Sequence, residues 1–220
     1  LEFPHLMRLI EHTQFDTVYH EHFSYLSLHT ASRIFEAAGL RVLDVEELTT
    51  HGGSLRIHGC HADDPRATTG AVEELLASER AAGLLELSAY QGFQARADKV
   101  KDDLLHFLIE QKRAGKTVAA YGAAAKGNTL LNHAGIKPDL LPFVCDAAPA
   151  KQGKFMPGSH IPILPPSALR IHKPDFVLIL PWNIADEVSA QHGYVHEWCA
   201  QYVVAVPQLA VTLGNHRTDG

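Results

Sequence analysis

Long apolar runs are absent: no stretch approaches the roughly 18 consecutive apolar residues that a membrane-crossing helix requires, which excludes that class of protein. Paired cysteines are absent too. Cys60, Cys145 and Cys199 lie far apart with no Cys-x-x-Cys pair, which fits the reduced thiols of a cytoplasmic protein better than a disulfide framework. There is no basic excess, because 19 Lys+Arg face 25 Asp+Glu for a formal charge of −6. The basic residues are scattered, so no nucleic-acid-binding surface is expected and any bound phosphate needs a local site. The chain starts at Leu1 rather than Met, and Leu1-Glu2-Phe3-Pro4-His5 has neither the basic region nor the apolar stretch of a leader. The simplest expectation is a piece of a longer protein. Internal repeats and low-complexity tracts are also lacking.

What is present is globular in character: 220 residues, 46% apolar and 20% charged, enough for one large α/β domain or two smaller ones. Histidine is over-used, with 15 in all and five (His5, His12, His20, His22, His29) within the first 29 residues.

Periodicity divides the chain into three parts. In residues 1–62, a short helix is expected over 5–12 and an aromatic-rich irregular stretch over Phe15–Phe23. A helix over Thr30–Ala38 with a Ser or Thr cap then stops at Gly39. Leu40–Val45 and Ser54–Gly59 read as strands joined through Thr50-His51-Gly52-Gly53. Residues 63–70 are polar and rich in turn formers. Helices follow over Ala71–Ala82 and from about Leu85 to Ala114, the second with an apolar stripe of Phe93, Ala97, Val100, Leu104 and Leu108. From Lys116 on, apolar strands alternate with helices: Thr117–Tyr121, Leu140–Cys145, Asp175–Leu180 and Tyr202–Val206. That pattern predicts a mostly parallel sheet covered on both faces.

Three stretches carry chemistry. Tyr19-His20-Glu21-His22 gathers a phenol, two imidazoles and a carboxylate, the groups used for proton transfer near neutral pH. If extended, it would turn His20 and His22 to one side and Tyr19 and Glu21 to the other. The same residues also read as an ordinary polar network, or as half of a zinc site completed by His58, Cys60 and His61. The second stretch, Tyr121 to Asn128, places small residues between a strand and a helix, where Gly122, Lys126, Gly127 and Asn128 can receive a phosphate. Asp146 follows 19 residues beyond Gly127, where Rossmann-like domains often place a ribose-binding acid. A turn needed only for packing is the competing reading. The third is Lys151-Gln152-Gly153-Lys154, a loop that could contact a diphosphate. Trp182 and Asn183 lie after the third strand, on the same carboxyl edge, where either could face a ligand and Asn183 could equally cap a helix.

Taken in order, Phe15–Tyr25 with its Tyr19-His20-Glu21-His22, His51-Gly52-Gly53-Ser54-Leu55-Arg56, and Tyr121-Gly122-Ala123-Ala124-Ala125-Lys126-Gly127-Asn128-Thr129-Leu130-Leu131-Asn132 resemble the sugar C-methyltransferase family. The resemblance runs on through Asp146, Lys151-Gln152-Gly153 and Ile161-Pro162-Ile163. It implies an S-adenosylmethionine-dependent enzyme with an N-terminal zinc-binding domain, a central class I methyltransferase domain and a C-terminal Rossmann-like domain holding a nucleotide-linked sugar. On that plan, residues 1–62 are the last helix and strands of the methyltransferase domain, 63–115 a helical connector, and 116–220 the nucleotide-sugar domain.

The zinc cysteines of the family are not found here, and no glycine precedes Gly39 to form an adenosylmethionine loop. Zinc is therefore expected only in an N-terminal domain outside this chain, and the piece alone is expected to be inactive. The implied reaction removes a proton beside the keto group of a nucleotide-linked 4-keto-deoxysugar and methylates the enolate. His22 is the implied base, with Glu21 and Tyr19 orienting the sugar or polarising the ketone. The Lys126 turn, Asp146 and Lys151 would hold the nucleotide diphosphate. Two other readings remain: a stand-alone nucleotide-sugar-binding module, and a nicotinamide-dependent oxidoreductase, disfavoured because no second glycine stands two residues after Gly122.

Overall fold

The computed structural model describes residues 1–212 and divides into two compact units. One comprises Leu1–Gln14 and His20–Ala95; the other comprises Phe15–Tyr19 and the chain from Arg96 onward.

The first unit contains β1 (Glu2–Pro4), α1 (Leu6–Glu11), α2 (Leu28–Ala37), β2 (Leu40–Leu48), β3 (Ser54–His61) and α3 (Gly70–Ala81). Its strands form an antiparallel sheet in the order β1-β3-β2, in register at Glu2↔Arg56 and Leu40↔His61. Alternation decides which face of β3 is buried: Leu55 and Ile57 point into the core while Arg56 and His58 face solvent. That core joins Met7, Leu28, Ala31, Val45 and Leu75. The helix expected from Thr30 begins two residues earlier, because Ser27 Oγ accepts the Thr30 N–H at 3.1 Å. It ends as expected before Gly39, which takes φ +72°.

α4 (Phe93–Arg113) follows a 3-10 turn over Leu87–Tyr90 and starts at the first residue of its apolar stripe, later than the expected Leu85 and just after Gly92 at φ +79°. Ala97, Val100, Leu104 and Leu108 of that stripe are buried.

The second unit is built on β4 (Val118–Tyr121), α5 (Ala125–His133), β5 (Val144–Cys145), β6 (Ile163–Leu164), α6 (Ser167–His172), β7 (Phe176–Ile179), α7 (Ala185–Gln191), β8 (Gln201–Val204) and β9 (Ala210–Thr212). Strand order is β6-β5-β4-β7-β8-β9, parallel except for β9, so the mostly parallel α/β sheet is as expected. β4 and β7 are buried at every position, as strands covered on both faces must be. The chain runs from β4 outward through β5 to β6, then returns to lay β7 on the other side of β4. The order therefore reverses between β4 and β7, and the crevice outside their carboxyl ends is where an open α/β sheet receives its ligand.

Candidate functional site

The loops after β4 and β7 meet at this reversal. Gly122 ends β4 with φ +96°, and its N–H donates to Cys145 O at 2.7 Å. A Cβ at Gly122 would lie 2.4 Å from Pro181 Cδ, so glycine is required both by the backbone angle and by the opposite loop. A Cβ at Gly127 would come within 2.7 Å of Leu180 Cβ; this residue lets α5 pack close to the end of β7.

The stretch Gly122–Gly127 is not all turn. Helix α5 begins at Ala125, so Lys126, Gly127 and Asn128 lie in its first turns. Ala124, just before the helix, is still extended at φ −101° and ψ 167°. No side chain caps α5 at Ala124, which leaves its leading N–H groups facing the carboxyl edge of the sheet.

Asp146 follows β5 and is buried. Its Oδ2 accepts the Ala123 N–H at 2.7 Å and lies 3.2 Å from Lys151 Nζ, while Oδ1 accepts the Ala148 N–H at 2.8 Å. The carboxylate thus ties the β4–α5 turn to the loop after β5. Gln152 adds a bond from Nε2 to Asp146 O at 3.0 Å. Below this edge, burial pushes the Cys145 thiol up to about 12, so it is no nucleophile.

Lys126 is 7% exposed. Its Nζ lies 3.3 Å from Asn183 Oδ1 and 4.6 Å above the Trp182 ring. Trp182 Nε1 donates to Asp16 Oδ2 at 2.7 Å, and Asp16 is fully buried. Burial raises the Asp16 carboxyl above its ordinary value, opposed by the Trp182 bond and the Lys126 charge. Burial likewise lowers the Lys126 ammonium, opposed by Asp16.

Of the residues singled out in the sequence, Gly122, Lys126, Gly127, Asn128, Asp146, Lys151 and Asn183 all belong to this carboxyl-edge assembly. Asp16 and Trp182 complete it. Trp182 was open to a ligand-facing reading, whereas no role attached to Asp16, whose only signal is its place in Phe15-Asp16-Thr17.

Tyr19 belongs to the second unit, and His20, Glu21 and His22 to the first. The segment is a turn rather than extended, with the Tyr19 N–H donating to Thr17 O at 3.1 Å, so the strand-like alternation of side chains does not apply. His20 and Glu21 are exposed and 3.9 Å apart. His22 is half-buried, and its carbonyl accepts the Tyr25 hydroxyl at 3.2 Å. Among the described residues no group of three or more His, Cys, Asp or Glu could hold a metal ion, so His20 and His22 are not joined by His58, Cys60 and His61 in a ligand set. No helix among them is long and apolar enough to cross a membrane. The first unit also offers no strand running through a glycine turn into a helix. It does not fit the adenosyl group of a methyl donor.

A mostly parallel sheet with a small-residue turn, a helix and an acid at its reversal point is a Rossmann-like domain. Residues 49–207 match the family described as the C-methyltransferase C-terminal domain, and the chain belongs to that family. It is 38% identical over 211 residues to C-methyltransferase NovU of Streptomyces niveus, covering 96% of this chain and 50% of that protein. The chain therefore spans about half the length of the curated relative it matches.

Proposed function

We propose that this chain is the C-terminal part of an S-adenosylmethionine-dependent C-methyltransferase acting on a nucleotide-linked 4-keto-deoxysugar. On this reading residues 1–62 close the methyltransferase domain, 63–115 connect, and 116–220 hold the nucleotide sugar in a cytoplasmic enzyme. Most of the methyl-donor site lies outside this chain, any zinc belongs to an N-terminal domain outside it, and the chain by itself is inactive.

One observation carries the proposal: in a member of this C-methyltransferase family, Asp146, the Gly122 turn and the uncapped start of α5 converge at the reversal of a parallel sheet. Such an edge suits a nucleotide diphosphate, with helix N–H groups for phosphate and Lys151 adding charge. His22 takes the proton from the carbon beside the ketone, while Tyr19 and Glu21 orient the sugar or polarise its oxygen.

Calorimetric titration of the 220-residue chain with a thymidine diphosphate sugar is expected to show binding; none at millimolar ligand would count against the nucleotide-sugar site. In the full-length enzyme, His22→Asn is expected to lower the methylation rate by about 10²–10⁴, the usual contribution of a general base. A rate near the parental one would remove His22 from that role.

A further inference from the structure

Phe15–Thr17 forms a single 3-10 turn, and all three of its residues are buried. The turn packs in the second unit although the chain on both sides of Phe15–Tyr19 belongs to the first. Two side-chain contacts hold it there, and a neighbouring charge favours the arrangement. The Phe15 ring lies 5.1 Å from the His133 ring at the last turn of α5. Asp16 Oδ2 accepts the Trp182 indole N–H at 2.7 Å. Lys126 supplies the opposite charge to Asp16 while lying over the Trp182 ring. Trp182 comes from the segment after β7 and Lys126 from the first turn of α5, on the two sides of the β4–β7 crevice.

A fully buried carboxylate is costly, and the adjacent turn could be made with apolar side chains alone. What Asp16 adds is direction. An indole N–H at 2.7 Å fixes the turn in one orientation, and the turn in turn fixes Tyr19, through the Val18 N–H to Phe15 O at 3.0 Å and the Tyr19 N–H to Thr17 O at 3.1 Å.

We propose that Asp16 is a positioning residue for Tyr19: its bond to Trp182 anchors the Phe15–Tyr19 turn to the loop beside the nucleotide-sugar crevice. The inference rests on the proposed function, in which Tyr19 touches the sugar. Its consequence is that the group orienting the sugar and the wall of the nucleotide crevice share one rigid support. A small displacement there would lower the chemical step more than binding.

Trp182→Phe is the direct test, because it keeps an aromatic ring beneath Lys126 and removes the N–H together with one of the two fused rings. In the full-length enzyme it should lower kcat at least tenfold while KM for the nucleotide sugar changes less than threefold. In the same variant, hydrogen exchange at the Val18 and Tyr19 amides should speed up severalfold. Trp198→Phe is the control: it removes another indole bond, from Nε1 to Pro174 O at 2.9 Å, and should leave kcat and those two amides unchanged.

An unchanged kcat, unchanged exchange, or a rise in KM at constant kcat would overturn the proposal; the last would make Trp182 a ligand contact instead. If Trp198→Phe lowers kcat equally, the effect is general destabilisation and the proposal also fails. The underlying functional reading fails separately, and takes this one with it, if the parental enzyme methylates no keto-sugar nucleotide or if Tyr19→Phe retains the parental rate.

Discussion

Gly122 and Pro181 face each other across the reversal of the sheet so closely that a single added methyl would overlap the proline ring, at 2.4 Å from Cδ. Gly122→Ala would also place a side chain at φ +96°. Left-handed backbone costs about 1–2 kcal/mol and overpacking about 1–3 kcal/mol, so a loss of about 2–5 kcal/mol is expected. Denaturant unfolding measures it. A loss below about 1 kcal/mol would mean that the two loops part freely, and the crevice would not be the preformed site described above.

Asp146 serves two partly buried backbone donors at once, the N–H groups of Ala123 and Ala148. Asp146→Ala strands both, at about 1–3 kcal/mol each, and releases Lys151. Asp146→Asn retains an oxygen for one of them and should lose roughly half as much. Both variants should weaken binding of a thymidine diphosphate sugar tenfold or more. Stability unchanged by Asp146→Ala would show that the turn holds without its carboxylate.

The fold was legible in the sequence wherever local signals were strong. Val118–Tyr121 is a run of apolar residues and became a fully buried strand; Gly39 stopped α2; Leu55 and Ile57 alternate with Arg56 and His58 as a half-buried strand should. The two-residue strands were less readable. β5 occupies only Val144–Cys145 of an apolar run starting at Leu140, because Pro142 cannot donate to a ladder. β6, Ile163–Leu164, sits between Pro162 and Pro165 and has too few residues to show a period. At the site, the strand-turn-helix-acid series could be read because its members follow one another along the chain. The Asp16–Trp182 bond spans 166 positions, and no periodicity or spacing encodes such a pairing. Gly127 illustrates a different difficulty. Read locally it is a turn residue, but it lies inside a helix for the sake of Leu180, a neighbour known only from the tertiary structure.

In the first unit, Glu79 on α3 is fully buried and serves as a remote cap for α2. It accepts the Leu28 N–H at 2.6 Å and the His29 N–H at 2.9 Å, with His5 Nε2 at 2.8 Å. Burial alone would raise this carboxyl, but the His5 bond and the two backbone donors outweigh it, and its pKa falls below the ordinary value. A depressed folded pKa means that the contribution is complete above the unfolded value of about 4.3 and is lost as pH falls through the folded one. The thermal midpoint should therefore drop below about pH 4.3 more steeply in the parental chain than in Glu79→Gln, which cannot ionise. At pH 7, Glu79→Gln should be less stable by about 1–3 kcal/mol, because one amide oxygen replaces an acceptor shared by three donors. Midpoints measured from pH 3 to 7 decide the matter: parallel curves for the two chains would assign the acid sensitivity to other carboxylates and leave Glu79 with a packing role alone.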